Sequence, residues 1–212
     1  MNKLSIFASM MMMMCLPMMA QKNGSKAQVK PDPNFQIYLC FGQSNMEGNA
    51  AIEDIDRTGV NPRFMAMYAV DDEKAGWKKG QWHTAVPPQA RPDTGLTPVD
   101  YFGRKMVDNL PDSIKVGTIT VAVGGASIDL FDKRTCKAYL KKQPDWMKNF
   151  ASQYNGNPYA RLIELAKIAQ KQGVIKGILL HQGETNNGDV NWPNRVKTVY
   201  NDILKELHLK AE

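Results

Sequence analysis

Residues 35–48 read FQIYLCFGQSNMEG. The run FQIYLCF is compact and apolar, rich in aromatic and branched side chains and bounded by turn formers, the pattern of a buried strand. Gly42 ends it, and Ser44 follows between the amides Gln43 and Asn45. A serine so placed is either one more polar residue in a glycine turn or a nucleophile raised at a strand tip. The rest of the chain decides between them by what it brings to the same place.

Working outward, RFMAMYAV (63–70) is a second candidate strand, and KVGTITVAV (115–123) is a clear one, stopped by Gly124 and Gly125. VIKGILLHQG (174–183) is another buried strand. Between them lie helical patterns. In 97–111, Thr97 can cap, Pro98 suits the first turn, and Val99, Phe102, Met106 and Leu110 recur at helical spacing. In 158–173, Leu162, Leu165, Ala166 and Ala169 turn inward and Gly173 closes the helix; 195–210 carries Val196, Val199, Tyr200, Ile203, Leu204 and Leu207 on one face. Strands alternating with helices imply right-handed crossovers and a mainly parallel sheet covered on both sides. The expected fold class is therefore α/β.

Ligands of such sheets bind beyond the carboxyl ends of the strands. Three motifs fall there: GQSN after the first strand, GGAS after the third and HQGE after the fourth. A serine becomes a useful nucleophile when a base takes its proton and donors hold the developing oxyanion. Ser44 stands where its own N–H can point at the oxygen its hydroxyl creates. The pattern is not G-x-S-x-G, because Met46 occupies the place of the last glycine. Gly124 or Gly125 lets substrate approach the backbone and offers an N–H, or simply turns the chain. Gln182 offers a carboxamide donor, or binds a loop. Glu184 orients the site or caps a turn, and His181 reads as a partly buried histidine with its partners satisfied. The segment from Asp71 to Thr97 is long for a connector, and its Trp77, Trp82 and His83 are candidate ligand or lid residues. A metal site at His181, Glu184 and Asp189 has only one imidazole to offer.

The trio GQSNMEG, VGGASI and HQGETN, in this order and spread, resembles the carbohydrate-esterase branch of the SGNH hydrolases, the sialic-acid-specific and acetylxylan-esterase-like enzymes. WHTAVPP followed by GLTPVDYFGRKM is similar to that family's segment before its first long helix, and the resemblance spans roughly residues 35 to 190. It implies a three-layer α/β/α sandwich with a mainly parallel, flavodoxin-like central sheet, and removal of acetyl groups from sugars without metal or other cofactor. Carried over by position, Ser44 matches the nucleophile, Gly125 the backbone oxyanion donor and Gln182 the side-chain donor. Glu184 matches the acidic residue of the third motif. Gln43, Asn45 and Gly124 match motif positions that support the turn or face the substrate. Apart from the resemblance, Trp77, Trp82, Trp146 and Trp192 are each either a surface for stacking on sugar rings or a packed residue, and Trp82 is the substrate-binding candidate among them.

The family also ends with an Asp-x-x-His block, and no such spacing occurs in this sequence. The expectation is a chain that continues past Glu212, its last strand and catalytic loop missing and one sheet edge left bare. The alternative is a catalytically incomplete glycan-binding relic. At the other end, MNK, an apolar stretch and a small-residue site form the layout of a secretory signal over residues 1–20, cut after Ala20. A polar linker (21–34) and one domain (35–212) follow. Pro17 and the shortness of the apolar run argue against an uncleaved anchor, so the mature protein is expected to be exported with no membrane span. Its 212 residues with 43% hydrophobic and 23% charged composition suit one packed domain. The formal charge of +6 is scattered rather than gathered in a stripe, which does not suggest nucleic acid. Cys40 and Cys136 remain after the cut; export permits a disulfide, although Cys40 reads as a small buried residue within its strand.

Overall fold

The computed structural model describes residues 30–211, so the expected signal segment (1–20) and most of the expected linker (21–34) lie outside the described residues. Five strands form one sheet: β1 (Phe35–Gly42), β2 (Phe64–Met67), β3 (Trp82–Thr84), β4 (Lys115–Ala122) and β5 (Val174–His181), in the order β3-β2-β4-β1-β5. β1 pairs in parallel with β4 and β5, β2 pairs in parallel with β4, and β3 adds antiparallel to β2. Parallel neighbours need crossovers, and these carry the helices α1 (Ser44–Glu47), α2 (Asp54–Arg57), α3 (Pro98–Asn109), α4 (Cys136–Lys141), α5 (Asp145–Ser152) and α6 (Pro158–Ala169), while α7 (Trp192–Leu207) follows β5.

Strand periodicity assigns the two faces. Ile37, Leu39 (both fully buried) and Phe41 of β1 join Ile119 and Val121 of β4 with α6 and α7 in the larger core. Cys40 and Ala122 pack with Met46 of α1 and Val99 of α3 on the other side, and Phe64 and Val116 sit with Val107 in a neighbouring cluster. The result is the three-layer α/β/α sandwich expected from the alternating pattern. Helix α3 starts as its sequence signals. The Thr97 hydroxyl accepts from the Val99 N–H at 3.5 Å, and Asp100 returns a bond to the Thr97 N–H at 2.9 Å, a capping box ahead of Pro98.

Some boundaries differ from the periodicity. Helix α7 begins three residues earlier than the 195–210 pattern, with Pro193 in its first turn, and stops at Leu207, where His208 takes a left-handed conformation. The stretch 136–152 forms two short helices that no long apolar period announces. β5 hydrogen-bonds only to β1, so its outer edge is free among the described residues. No helix among the described residues is long and apolar enough to cross a membrane.

Register positions the site. Gly42 stands level with Ala122 on one side and with His181 on the other. The segments leaving β1, β4 and β5 therefore emerge side by side from three adjacent strand tips.

Candidate active site

Immediately beyond Gly42, the chain turns into the single-turn helix α1, and the Gln43 N–H donates to the His181 carbonyl at 3.0 Å. Gln43 is buried, and its Oε1 accepts from Gln182 Nε2 at 3.2 Å, from Thr185 N–H at 3.3 Å and from Gly183 N–H at 3.4 Å. Asn45 donates Nδ2 to Glu184 Oε1 at 2.8 Å, and His181 Nε2 lies 3.4 Å from that same oxygen. Between these two anchored amides, the Ser44 side chain is partly exposed.

The segment after β4 closes on the serine from the other side. A Cβ placed on Gly124 falls 3.9 Å from Ser44 Cβ and 2.8 Å from Glu47 Oε2, so only glycine lets the backbone run this close. Gly125 follows with φ +67°, the left-handed region that favours glycine, and its carbonyl accepts from Thr185 Oγ1 at 3.0 Å. The N–H groups of Ser44, Gly124 and Gly125 meet no acceptor among the described residues. Ser44, Gly124 and Gly125 thus carry three unpaired N–H groups on two segments that come within van der Waals contact.

Asn186 stitches the third motif to the second, accepting from Ile128 N–H at 3.0 Å and donating to Ser127 Oγ at 3.1 Å. Gln182 is more committed than its sequence position suggests. Its Oε1 accepts from Trp192 Nε1 at 2.6 Å; its Nε2 faces Asn186 Oδ1 at 2.7 Å and Gln43 Oε1 and the Ala126 carbonyl at 3.2 Å each. An amide nitrogen carries two N–H groups, so the carboxamide here is shared out within the protein. To reach a substrate oxygen it must release one of these partners.

Beneath the serine lies a pair that strand-tip reasoning does not find. Arg91 NH1 donates to Glu47 Oε1 at 2.5 Å and to the Ala122 carbonyl at 3.1 Å, with both side chains buried. The pair ties α1 to the end of β4, and the guanidinium lies 4.6 Å from the centre of the Phe150 ring. Glu47 belongs to the quoted motif and its acidity was the available signal; Arg91, 44 positions on, had none.

Ser44, Gln43, Asn45, Gly124, Gly125, Gln182 and Glu184 all gather in this one corner. Trp82 does not. Its indole packs over Gly117 and edge-on against Phe35 at 4.8 Å, at the opposite end of β1 from Gly42. β1 runs eight residues from one end to the other, about 23 Å at strand rise. The Trp82 indole is thus packed toward the end of β1 away from Gly42, and Trp77 stacks on His83 at 3.7 Å. Burial holds the His83 imidazole below its ordinary pKa, and Nδ1 faces the Thr84 carbonyl at 2.9 Å. His208 caps α7 beside the start of β5, leaving His181 as the histidine at this end of the sheet among the described residues. No group of three or more His, Cys, Asp or Glu side chains suited to a metal ion occurs among the described residues.

Residues 34–211 match the family described as carbohydrate esterase, sialic acid-specific acetylesterase. Solved structures agree in fold. A protein from Arabidopsis thaliana superposes with a TM-score of 0.60 at 19% identity, over 84% of this chain and 71% of that one. A carbohydrate acetylesterase from Xanthomonas citri gives 0.54 at 20% identity, over 82% and 39%, and the protein NanS gives 0.55 at 15% identity, over 85% and 64%. This chain thus spans less than two thirds of the last two. With the family match covering most of its length, the chain belongs to the carbohydrate esterases of the sialic acid-specific acetylesterase family.

Proposed function

We propose that this protein is an exported serine esterase that removes O-acetyl groups from carbohydrates such as sialic acid or xylan-type glycans. Ser44 Oγ attacks the acetyl carbonyl carbon while a base accepts its proton. The carbonyl π electrons move onto oxygen, and that oxyanion is held by the N–H groups of Ser44 and Gly125, with Gly124 alongside. Gln182 joins as a side-chain donor by trading its bond to Gln43. Collapse of the intermediate expels the sugar alkoxide, which takes the proton from the base, and water then releases acetate from the acyl-serine by the same steps.

The observation that carries this reading is the 3.9 Å approach of the Gly124 Cβ position to Ser44 Cβ, with unpaired N–H donors on both segments. Gln43, Asn45 and Glu184 hold that corner in place. The test is acetate release from O-acetylated sialic acid and from acetylated xylan, by the protein and by its Ser44→Ala variant. Release by the protein, lost in the variant, is expected; equal release by both contradicts it.

A second reading, glycan binding without turnover, is favoured by one observation. Among the described residues no side chain hydrogen-bonds to Ser44 Oγ; the bonds of this corner run through Gln43, Asn45 and Glu47. A serine without an imidazole partner keeps only what an oxyanion hole and binding provide. Sugar binding with no acetate release separates this reading from the first. Export rests on the N-terminal pattern, and a mature protein whose first residue is Gln21 is the expected product.

A further inference from the structure

The four tryptophans of the chain do not share one fate. Trp77, Trp82 and Trp192 pack against the main core, whereas Trp146 on α5 leaves 48% of its surface exposed. Exposing that much indole forfeits hydrophobic stabilisation without an evident packing return. Its place explains it. The Trp146 ring lies 2.9 Å from where a Cβ on Gly125 would stand, so the indole rests directly on the backbone of the oxyanion segment.

The ring is not loose. Phe150 abuts it edge-on with centroids 5.9 Å apart, and Phe150 in turn carries the Arg91 guanidinium that is locked to Glu47 of α1. Met147, the next residue, is buried, and its Cε comes within 3.5 Å of the same Gly125 point. The Cη2–Cζ3 edge of the indole is thus braced against the elements that frame Ser44, and about half of the residue is open to solvent.

An ester bound for attack by Ser44 has its carbonyl oxygen at the Gly125 N–H and its alcohol portion alongside. A pyranose presents a face of C–H groups flanked by hydroxyls. A flat indole covers that apolar face while leaving the hydroxyls hydrated, the same amphipathic contact that suits tryptophan to half-wet surfaces. We propose that Trp146 is the platform for the sugar ring of the substrate, and that it makes the site select acetylated pyranoses over acetyl esters of small alcohols. The proposal rests on the esterase reading of Ser44 and Gly125.

Two measurements on the full chain test it. The first is calorimetric affinity for an O-acetylated methyl pyranoside in a Ser44→Ala background, with Trp146 intact, Trp146→Ala or Trp146→Phe. The alanine variant should weaken binding about tenfold and the phenylalanine variant by less, as loss of one aromatic stacking contact does. The second is the ratio of kcat/KM for that pyranoside to kcat/KM for methyl acetate, which should fall about tenfold in Trp146→Ala. Unchanged affinity, or an equal fall for both esters, overturns the platform. Hydrolysis undiminished by Ser44→Ala overturns instead the esterase reading beneath it. Since Trp146 is exposed, the alanine variant should melt within a few degrees of the parent, which separates loss of contact from loss of fold.

Discussion

At the scale of single residues, Gly124 is the glycine that lets the end of β4 approach Ser44. A methyl group there meets Glu47 Oε2 at 2.8 Å, and Glu47 has little room to yield because its other oxygen is held by Arg91 at 2.5 Å. Gly124→Ala should therefore push the β4 tip away from Ser44 and lower acetate release by more than tenfold. A kinetic comparison with the parent under saturating substrate checks this, and a variant of parental kcat would contradict the close approach. Gly125 differs in kind: its φ of +67° is what a side chain resists, so an alanine there adds about 1–2 kcal/mol of backbone strain besides displacing Trp146.

Elements are held by buried polar groups whose removal should be costly. Replacing Arg91 with methionine leaves Glu47 buried without its cation. Stability should fall by about 3–5 kcal/mol, and Arg91→Met with Glu47→Gln should recover much of it; urea midpoints of the single and double variants measure both. The start of α3 contributes a pH dependence. Burial pushes the Asp100 carboxyl up to about 6 from 3.8, against the opposing bonds from the Thr97 N–H and Gln89 amide. Between those values, the unfolded chain gives up its proton before the folded one does. Stability at this group therefore falls as pH rises from about 4 to about 6, by about 1.4 kcal/mol per unit at most, and is level above. Asp100→Asn cannot ionise, so the difference in urea midpoint between parent and variant should shrink toward low pH and grow toward pH 7. A constant difference would argue against the shifted carboxyl.

Over the whole molecule, the two cysteines described show how the sandwich separates neighbours in chemistry. Cys40 packs with Met46 and Val99 on one face of the sheet, and Cys136 joins the Met147 and Tyr154 core on the other. Both are free thiols, which burial pushes up to about 12 and about 11 respectively, so the disulfide that export would permit is absent between them. A thiol reagent should leave both unmodified in the native protein and label both in denaturant. The legible parts of the fold were those written locally: FQIYLCF, KVGTITVAV and VIKGILLH carry their strand character residue by residue, and the Thr97–Pro98 start of α3 is a short-range signal. Illegible parts depend on distant partners. β3 exists because β2 offers it an edge. Trp82 is drawn to Phe35 and Gly117 by a loop whose path no periodicity encodes. Arg91 finds Glu47 across folded space, and the engagement of Gln182 by Trp192 and Asn186 depends on packing rather than on the motif.

The most direct measurement is the mass of the intact protein, with peptide mapping, after exposure to a fluorophosphonate that phosphonylates activated serines. One adduct is expected, on Ser44, lost in Ser44→Ala and formed more slowly in Gly124→Ala. An unlabelled protein, or an adduct on another serine that persists in Ser44→Ala, would contradict it.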